Sequence, residues 1–235
     1  MRTKLNIMKK IKVIIALCFA VVVSACEVDN YPGPNAGLSG KFIDSDTEEL
    51  IQQDINSGSV VEIREHGYDP VTPQYLRVKN DGTYSNTLLF ANTYTIQPVR
   101  GNFIAVAPQD LEIKGQTTLD FRVIPYIRIK DASIVKNGTK IIATFRVEQN
   151  VTNNVRKIGL YAHADPHVGE PLRLVAAENN INSVTDPNQV YTLEIDLPSN
   201  STQLVPGRDY FFRVGALIDV SEAKLNYASA ARIGI

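Results

Sequence analysis

From Leu38 onward the chain alternates apolar and polar residues in short runs broken by turn residues, the period of strands with one buried face. Ser59 to Glu65 alternates in Val61 and Ile63. In Gln74 to Lys79, Leu76 and Val78 oppose Tyr75, Arg77 and Lys79, and Asn80-Asp81-Gly82 then supplies residues that tolerate positive φ. Tyr84, Leu88, Phe90, Tyr94 and Ile96 continue the series. Further along, the Asn137-Gly138 turn precedes Ile141, Ala143, Phe145 and Val147, all on one side of a strand. Tyr210, Phe212, Val214 and Ala216 repeat the pattern, which turns Phe211 and Leu217 outward and predicts an interface there, with the first half of the chain as its partner. One helix is predicted, over Thr47 to Ile55, where Leu50, Ile51 and Ile55 recur at helical spacing behind Thr47 as N-cap.

Leu119, Phe121 and Val123 share a strand face, Pro125 interrupts it, and Ile127 and Ile129 resume at once. A junction that short predicts two domains held rigidly. The predicted fold is all-β, two tandem β-sandwich domains over residues 38–126 and 127–235. At about 90 to 110 residues each, they bury enough surface to fold without covalent staples.

Residues 1–25 read differently. Met1 to Lys12 is basic, Ile11 to Val23 is apolar, and small residues precede Cys26, the three-part layout of a secretory signal peptide. The apolar run is too short for a membrane span of about 20 residues. The sequence Val23-Ser24-Ala25-Cys26 resembles the bacterial lipobox. That resemblance implies cleavage before Cys26, acylation of its sulfur and a lipidated tether over residues 26–37, whose Tyr31-Pro32-Gly33-Pro34-Asn35 is stiffened by proline. More than one acyl chain gives stable membrane attachment. Glu27 and Asp29 resemble the acidic signal that sends Bacteroidota lipoproteins to the cell surface.

The composition changes the picture in two ways. The first 25 residues hold five basic side chains and no acid; removing those five from 24 leaves 19 basic against 25 acidic residues, a formal charge of −6. Such a body repels polyphosphate, which argues against nucleic acid as a partner. The two cysteines, Cys18 and Cys26, fall in the signal and at the lipid site, so the folded body carries no thiol for a disulfide, a nucleophile or a metal.

Gly40-Lys41-Phe42-Ile43-Asp44, Asn80-Asp81-Gly82-Thr83-Tyr84 and Asn92-Thr93-Tyr94-Thr95-Ile96 resemble the opening strand, turn and closing motif of transthyretin-like domains of the carboxypeptidase regulatory type, with Asn92 in place of the usual glycine. Leu204 to Ala216 resembles the immunoglobulin/fibronectin III segment in which a tyrosine corner, here Tyr210, precedes an inward strand. The order lipobox, transthyretin-like domain, immunoglobulin-like domain resembles a family of Bacteroidota surface lipoproteins carrying a domain of unknown function. That resemblance implies an outer-membrane, surface-exposed location and association with SusC/SusD-like glycan-uptake proteins. Fimbrial lipoproteins, also transthyretin-like, offer the rival reading, with Tyr227 to Ile235 as a donated strand.

Chemistry is sparse. The sequence contains no nucleophile elbow, zinc-helix, dinucleotide or Cys-x-x-Cys motif, and no cofactor is predicted. His163, Asp165 and His167 project alike from an extended segment and form the one weak metal candidate, against an ordinary polar turn at Asp165-Pro166. Asp44, Asp46, Glu48 and Glu49 offer hard oxygens, but acids at a helix start are favoured by its dipole. His66 reads as solvated. Carboxylate pairs for glycoside hydrolysis leave no linear trace, and small sandwiches are poor hosts for them. For sugar binding, Tyr68 and Tyr75 bracket a turn and are the candidate stacking residues. The sequence favours a non-catalytic accessory binding or scaffold protein of a glycan-acquisition system, with a fimbrial subunit and a carbohydrate-active enzyme as alternatives.

Overall fold

A computed structural model describes residues 32–235. The first domain is built from β1 (Ala36–Asp44), β2 (Val60–Glu65), β3 (Gln74–Arg77), β4 (Thr83–Leu89), β5 (Asn92–Val99), β6 (Gln109–Ile113), β7 (Gln116–Thr118) and β8 (Phe121–Val123). Its two sheets run β4-β1-β7, with β8 also on β1, and β3-β2-β5-β6. The second domain comprises β9 (Ile127–Asn137), β10 (Lys140–Gln149), β11 (Val155–His163), β12 (Val175–Ser183), β13 (Val190–Asp196), β14 (Asp209–Ile218), β15 (Asn226–Tyr227) and β16 (Ala231–Gly234). Its sheets are β13-β10-β9 and β12-β11-β14-β15, with β16 also on β14. The chain is therefore all-β with a sandwich in each half, as the alternation predicts.

Each sandwich has its own core. Phe42, Val61, Ile63, Tyr84, Tyr94, Ile96 and Phe121 fill the first, where Phe42 stacks on Phe103 and Phe121 at centroid distances of 5.0 and 5.3 Å. Ile141, Ala143, Phe145 and Val147 meet Tyr210, Phe212, Val214 and Ala216 across the second. Tyr210 closes its corner by accepting a hydrogen bond from the Val205 amide at 2.9 Å.

Three expectations are corrected. The segment 47–55 is not helical: Ile51 donates its amide to the Phe42 carbonyl and Leu50 bridges Ile43, so the backbone bonds of this stretch go to β1. Of its apolar residues only Ile51 is buried, so there is no helical stripe. Leu88 and Phe90 do not continue the inward series. Between the pairs Ala36↔Leu89 and Leu38↔Asn86, β4 advances one residue more than β1. That bulge reverses parity, burying Leu89 and exposing both neighbours. Finally, Phe211 and Leu217 pack beside a small cluster of their own domain, Tyr161, Val168, Leu225 and Tyr227. The contact that reaches the first domain from that face of β14 is Arg213.

Tyr227 to Ile235 is not a free strand. β15 and β16 both pair antiparallel with β14 of their own domain.

Candidate functional site

The two domains meet through polar groups. Arg213 is 1% exposed, yet among the described residues its hydrogen-bond acceptors are carbonyl oxygens and no carboxylate. Its Nε donates to Ala228 O at 2.9 Å, Nη1 to Gln53 O at 2.9 Å and Val168 O at 3.3 Å, and Nη2 to Gln52 Oε1 at 3.2 Å. Tyr227 stacks on the guanidinium at 4.3 Å. Desolvation lowers the Arg213 pKa to about 10, which leaves it charged at neutral pH. Beside it, Asn102 accepts from Gln53 Nε2 at 2.9 Å and donates to Gln52 O and Leu225 O, while Asn226 Nδ2 donates to Asn102 O. This network fixes the relative position of the sandwiches.

At one edge of the junction, Asp44 at the end of β1 meets Arg128 near the start of β9. Arg128 Nε and Nη2 donate to the two Asp44 oxygens at 2.5 and 2.8 Å, and further donors reach Asp46 and Glu148. Burial pushes the Asp44 carboxyl up, but hydrogen bonds from Arg128 and the Asp46 amide, with the guanidinium charge, outweigh it and hold its pKa below the ordinary range. Arg128 is correspondingly pushed up, first by its bond to Asp44. A carboxyl with a depressed folded-state pKa contributes stability above the unfolded value, about 3.9, and loses it as pH falls through the lower folded value. Chemical denaturation from pH 7 to pH 3 should show wild type exceeding Asp44→Asn by about 2 kcal/mol at neutrality, with the gap closing only below about pH 4.

Beside this pair lies an open cleft of about 490 Å³ between the domains, walled by Thr47 and Glu49 to Gln52 on one side, the β9 stretch through Lys130 on another, and Asn226 to Ser229 on a third. Leu50, Glu49 and Ser229 are exposed at its mouth. Leu50 offers an apolar face, Thr47 and Ser229 hydroxyls, Glu49 a carboxylate and Lys130 an ammonium. These three segments are far apart in sequence, and only the domain junction brings them together.

The residues singled out by sequence lie elsewhere. Tyr75 stands on the outer face of the β3-β2-β5-β6 sheet opposite Glu62, about half exposed, with the Arg100 guanidinium 6.0 Å from its ring. Tyr68 is exposed on the loop between β2 and β3. His66 contacts Thr95 Oγ1, which donates to Asp110. His163, Asp165 and His167 form a self-contained turn: the Asp165 amide donates to His163 Nδ1 at 2.9 Å, and Asp165 Oδ1 engages both the amide and Nδ1 of His167. No group of three or more metal-ligating side chains converges among the described residues. The acids at 44 to 48 are partnered by arginine, Asp44 and Asp46 by Arg128 and Glu48 by Arg122, and no helix dipole is involved. Cys26 lies outside the described residues.

Fold and junction together define a two-sandwich protein with a cleft between its domains. Residues 36–124 match the family model described as protein of unknown function (DUF3823) N-terminal domain, and residues 127–232 match domain of unknown function (DUF3823_C). The chain belongs to this DUF3823 family. It is 34% identical to a putative carbohydrate binding protein from Bacteroides uniformis, with TM-score 0.78 over 86% of this chain and 100% of that one. DUF3823 family proteins from Parabacteroides merdae (21% identity, TM-score 0.73, 86% and 100% covered) and Bacteroides ovatus (24%, 0.70, 85% and 98%) share the fold. No curated protein matches the chain.

Proposed function

We propose that this protein is a non-catalytic, lipid-anchored protein of the outer-membrane surface that binds glycan in its interdomain cleft, as an accessory component of a SusC/SusD-like uptake system. The observation that carries this reading is the cleft itself. Pyranose rings present alternating hydroxyl edges and apolar faces, and Leu50 set among Thr47, Glu49, Lys130 and Ser229 offers complements to both. The similarity to the B. uniformis protein, over 86% of this chain, supports the same ligand class.

Cys26 supplies the anchor, and the outward charge of −6 suits a role that avoids polyanions.

Affinity electrophoresis of the purified chain against a polysaccharide panel tests the reading. We expect retardation by at least one glycan. Ser229→Trp, which puts an indole at the cleft mouth, should weaken it at least about tenfold, or 1.4 kcal/mol, while Tyr75→Ala leaves it unchanged. The opposite pair of results moves the ligand to the outer sheet face. No retardation by any glycan, together with no co-purifying transporter subunit, overturns the proposal.

A further inference from the structure

The end of the first sandwich farthest from the domain junction has an unusual surface. β1 runs from Ala36, where the described chain begins to pair, to Asp44 at the junction, so its start marks the opposite pole. The Asn35 amide donates to Leu89 O at 3.0 Å, and Asn35 Oδ1 accepts from the Ala91 amide at 2.8 Å, which fastens the incoming chain to the turn between β4 and β5. Beside that turn Leu88, near the end of β4, and Phe90, within the turn, are exposed, Leu88 at 72% of its surface. The neighbouring loop between β2 and β3 adds Tyr68, 62% exposed, and Val71. The two loops are tied together: Asn92 Nδ2 donates to His66 O at 3.0 Å and the His66 amide donates to Thr93 O at 2.9 Å. The bulge in β4 is what turns Leu88 and Phe90 outward, so a specific backbone feature creates the exposure.

Exposed apolar side chains clustered on loop tips at one pole need an occupant, and the chain itself indicates which. The nine residue steps from Cys26 to Asn35 span at most about 30 Å even when fully extended. A pole fastened to Asn35 is thereby confined near any bilayer that holds Cys26. We propose that this pole seats on that bilayer, with Leu88 and Phe90 in the interfacial region and Tyr68 at headgroup level, where an apolar ring with a polar tip is favoured. The exposed loop charges Asp69 and Lys114 are of opposite sign, so apolar insertion rather than attraction to anionic lipid holds the pole down. The molecule then stands on its first domain and lifts the cleft and the second domain away from the lipid. This inference rests on the acylation of Cys26 in the proposed function.

The test uses the full chain, matured in a lipoprotein-processing host and reconstituted into phosphatidylethanolamine/phosphatidylglycerol vesicles. With Cys26 acylated the body has no other thiol, so Leu88→Cys takes one environment-sensitive fluorophore, and Val135→Cys on the exposed face of β9 gives the control. We expect flotation of both. The fluorophore at 88 should shift to the blue and be quenched by spin-labelled lipid, undiminished in high salt, while that at 135 does neither. Flotation with no shift at 88 overturns the seating and leaves the anchor standing, even if position 88 becomes shielded in native outer membranes, which would assign the pole to a protein partner. Failure to float, with a second thiol labelled at position 26, overturns anchor and seating together.

Discussion

Arg213→Leu is expected to cost about 3–5 kcal/mol and to separate the two sandwiches, because it deletes a buried side chain that makes four hydrogen bonds shared between both. Its donors go to Gln53 O and Gln52 Oε1 in the first domain and to Ala228 O and Val168 O in the second. Leucine fills much of the volume but leaves those acceptors without partners in a region closed to water, and each orphaned acceptor costs about 1–3 kcal/mol. The cation–π contact with Tyr227 goes too. Arg213→Lys should fall between the two, since an ammonium has three donors and cannot span the fan of carbonyls that the guanidinium meets. Calorimetry should show the single wild-type transition move down by roughly 10 °C or split in two. Hydrogen exchange should rise first in residues 52–54, 101–103 and 225–228, and only later in the cores. A leucine variant as stable as wild type would mean that the desolvation of the guanidinium offsets all of its bonds.

Arg213 also shows where a one-dimensional pattern stops being informative. The alternation of β14 assigns Tyr210, Phe212, Val214 and Ala216 to the core, and all are buried there. By the same parity Arg213 lies on the outer face, where a charged residue reads as solvated. That face is not solvent, because the first domain covers it, and covering by a second domain leaves no trace in a period of two. The bulge in β4 defeats the pattern in another way: one added residue exchanges the roles of Leu88 and Leu89, and nothing local announces it. The stretch 47–55 has helical spacing by composition but spends its backbone bonds on β1, a choice made by tertiary partners. The cleft was illegible for a related reason. Its walls come from three segments that approach only when Asp44 finds Arg128, 84 residues away. Even so, the short connection from Val123 to Ile127, legible from Pro125 and the resumed alternation, is part of what places those walls.

Gly40→Ala is expected to be the most damaging methyl addition in the first domain. β1 is the central strand of its sheet, yet β7 and β8 both pair with it on the same side, β7 along Gly37 to Ser39 and β8 along Phe42 to Asp44. The chain passes from one to the other at Leu119 and Asp120, directly over Gly40. The Leu119 amide donates to Ser39 O, the Leu119 carbonyl accepts from the Tyr84 hydroxyl at 2.6 Å, and Asp120 caps the Lys41 amide. A Cβ on residue 40 would sit 1.8 Å from that carbonyl oxygen and 2.8 Å from the Tyr84 hydroxyl. The oxygen belongs to backbone held on both sides, so relief requires β7 and β8 to leave β1, or Tyr84 to leave the core it shares with Phe42 and Phe121. Either route exceeds the usual 1–3 kcal/mol of overpacking, and we expect at least about 4 kcal/mol. The first domain should then unfold before the second, separating the two transitions from the opposite side to Arg213→Leu. Gly33→Ala is the matched control, since nothing lies within 4 Å of its would-be Cβ. If Gly40→Ala melts within a degree or two of wild type, then the crossing at Leu119 is free to move away from β1, and the central strand of this domain is less tightly enclosed than its contacts indicate.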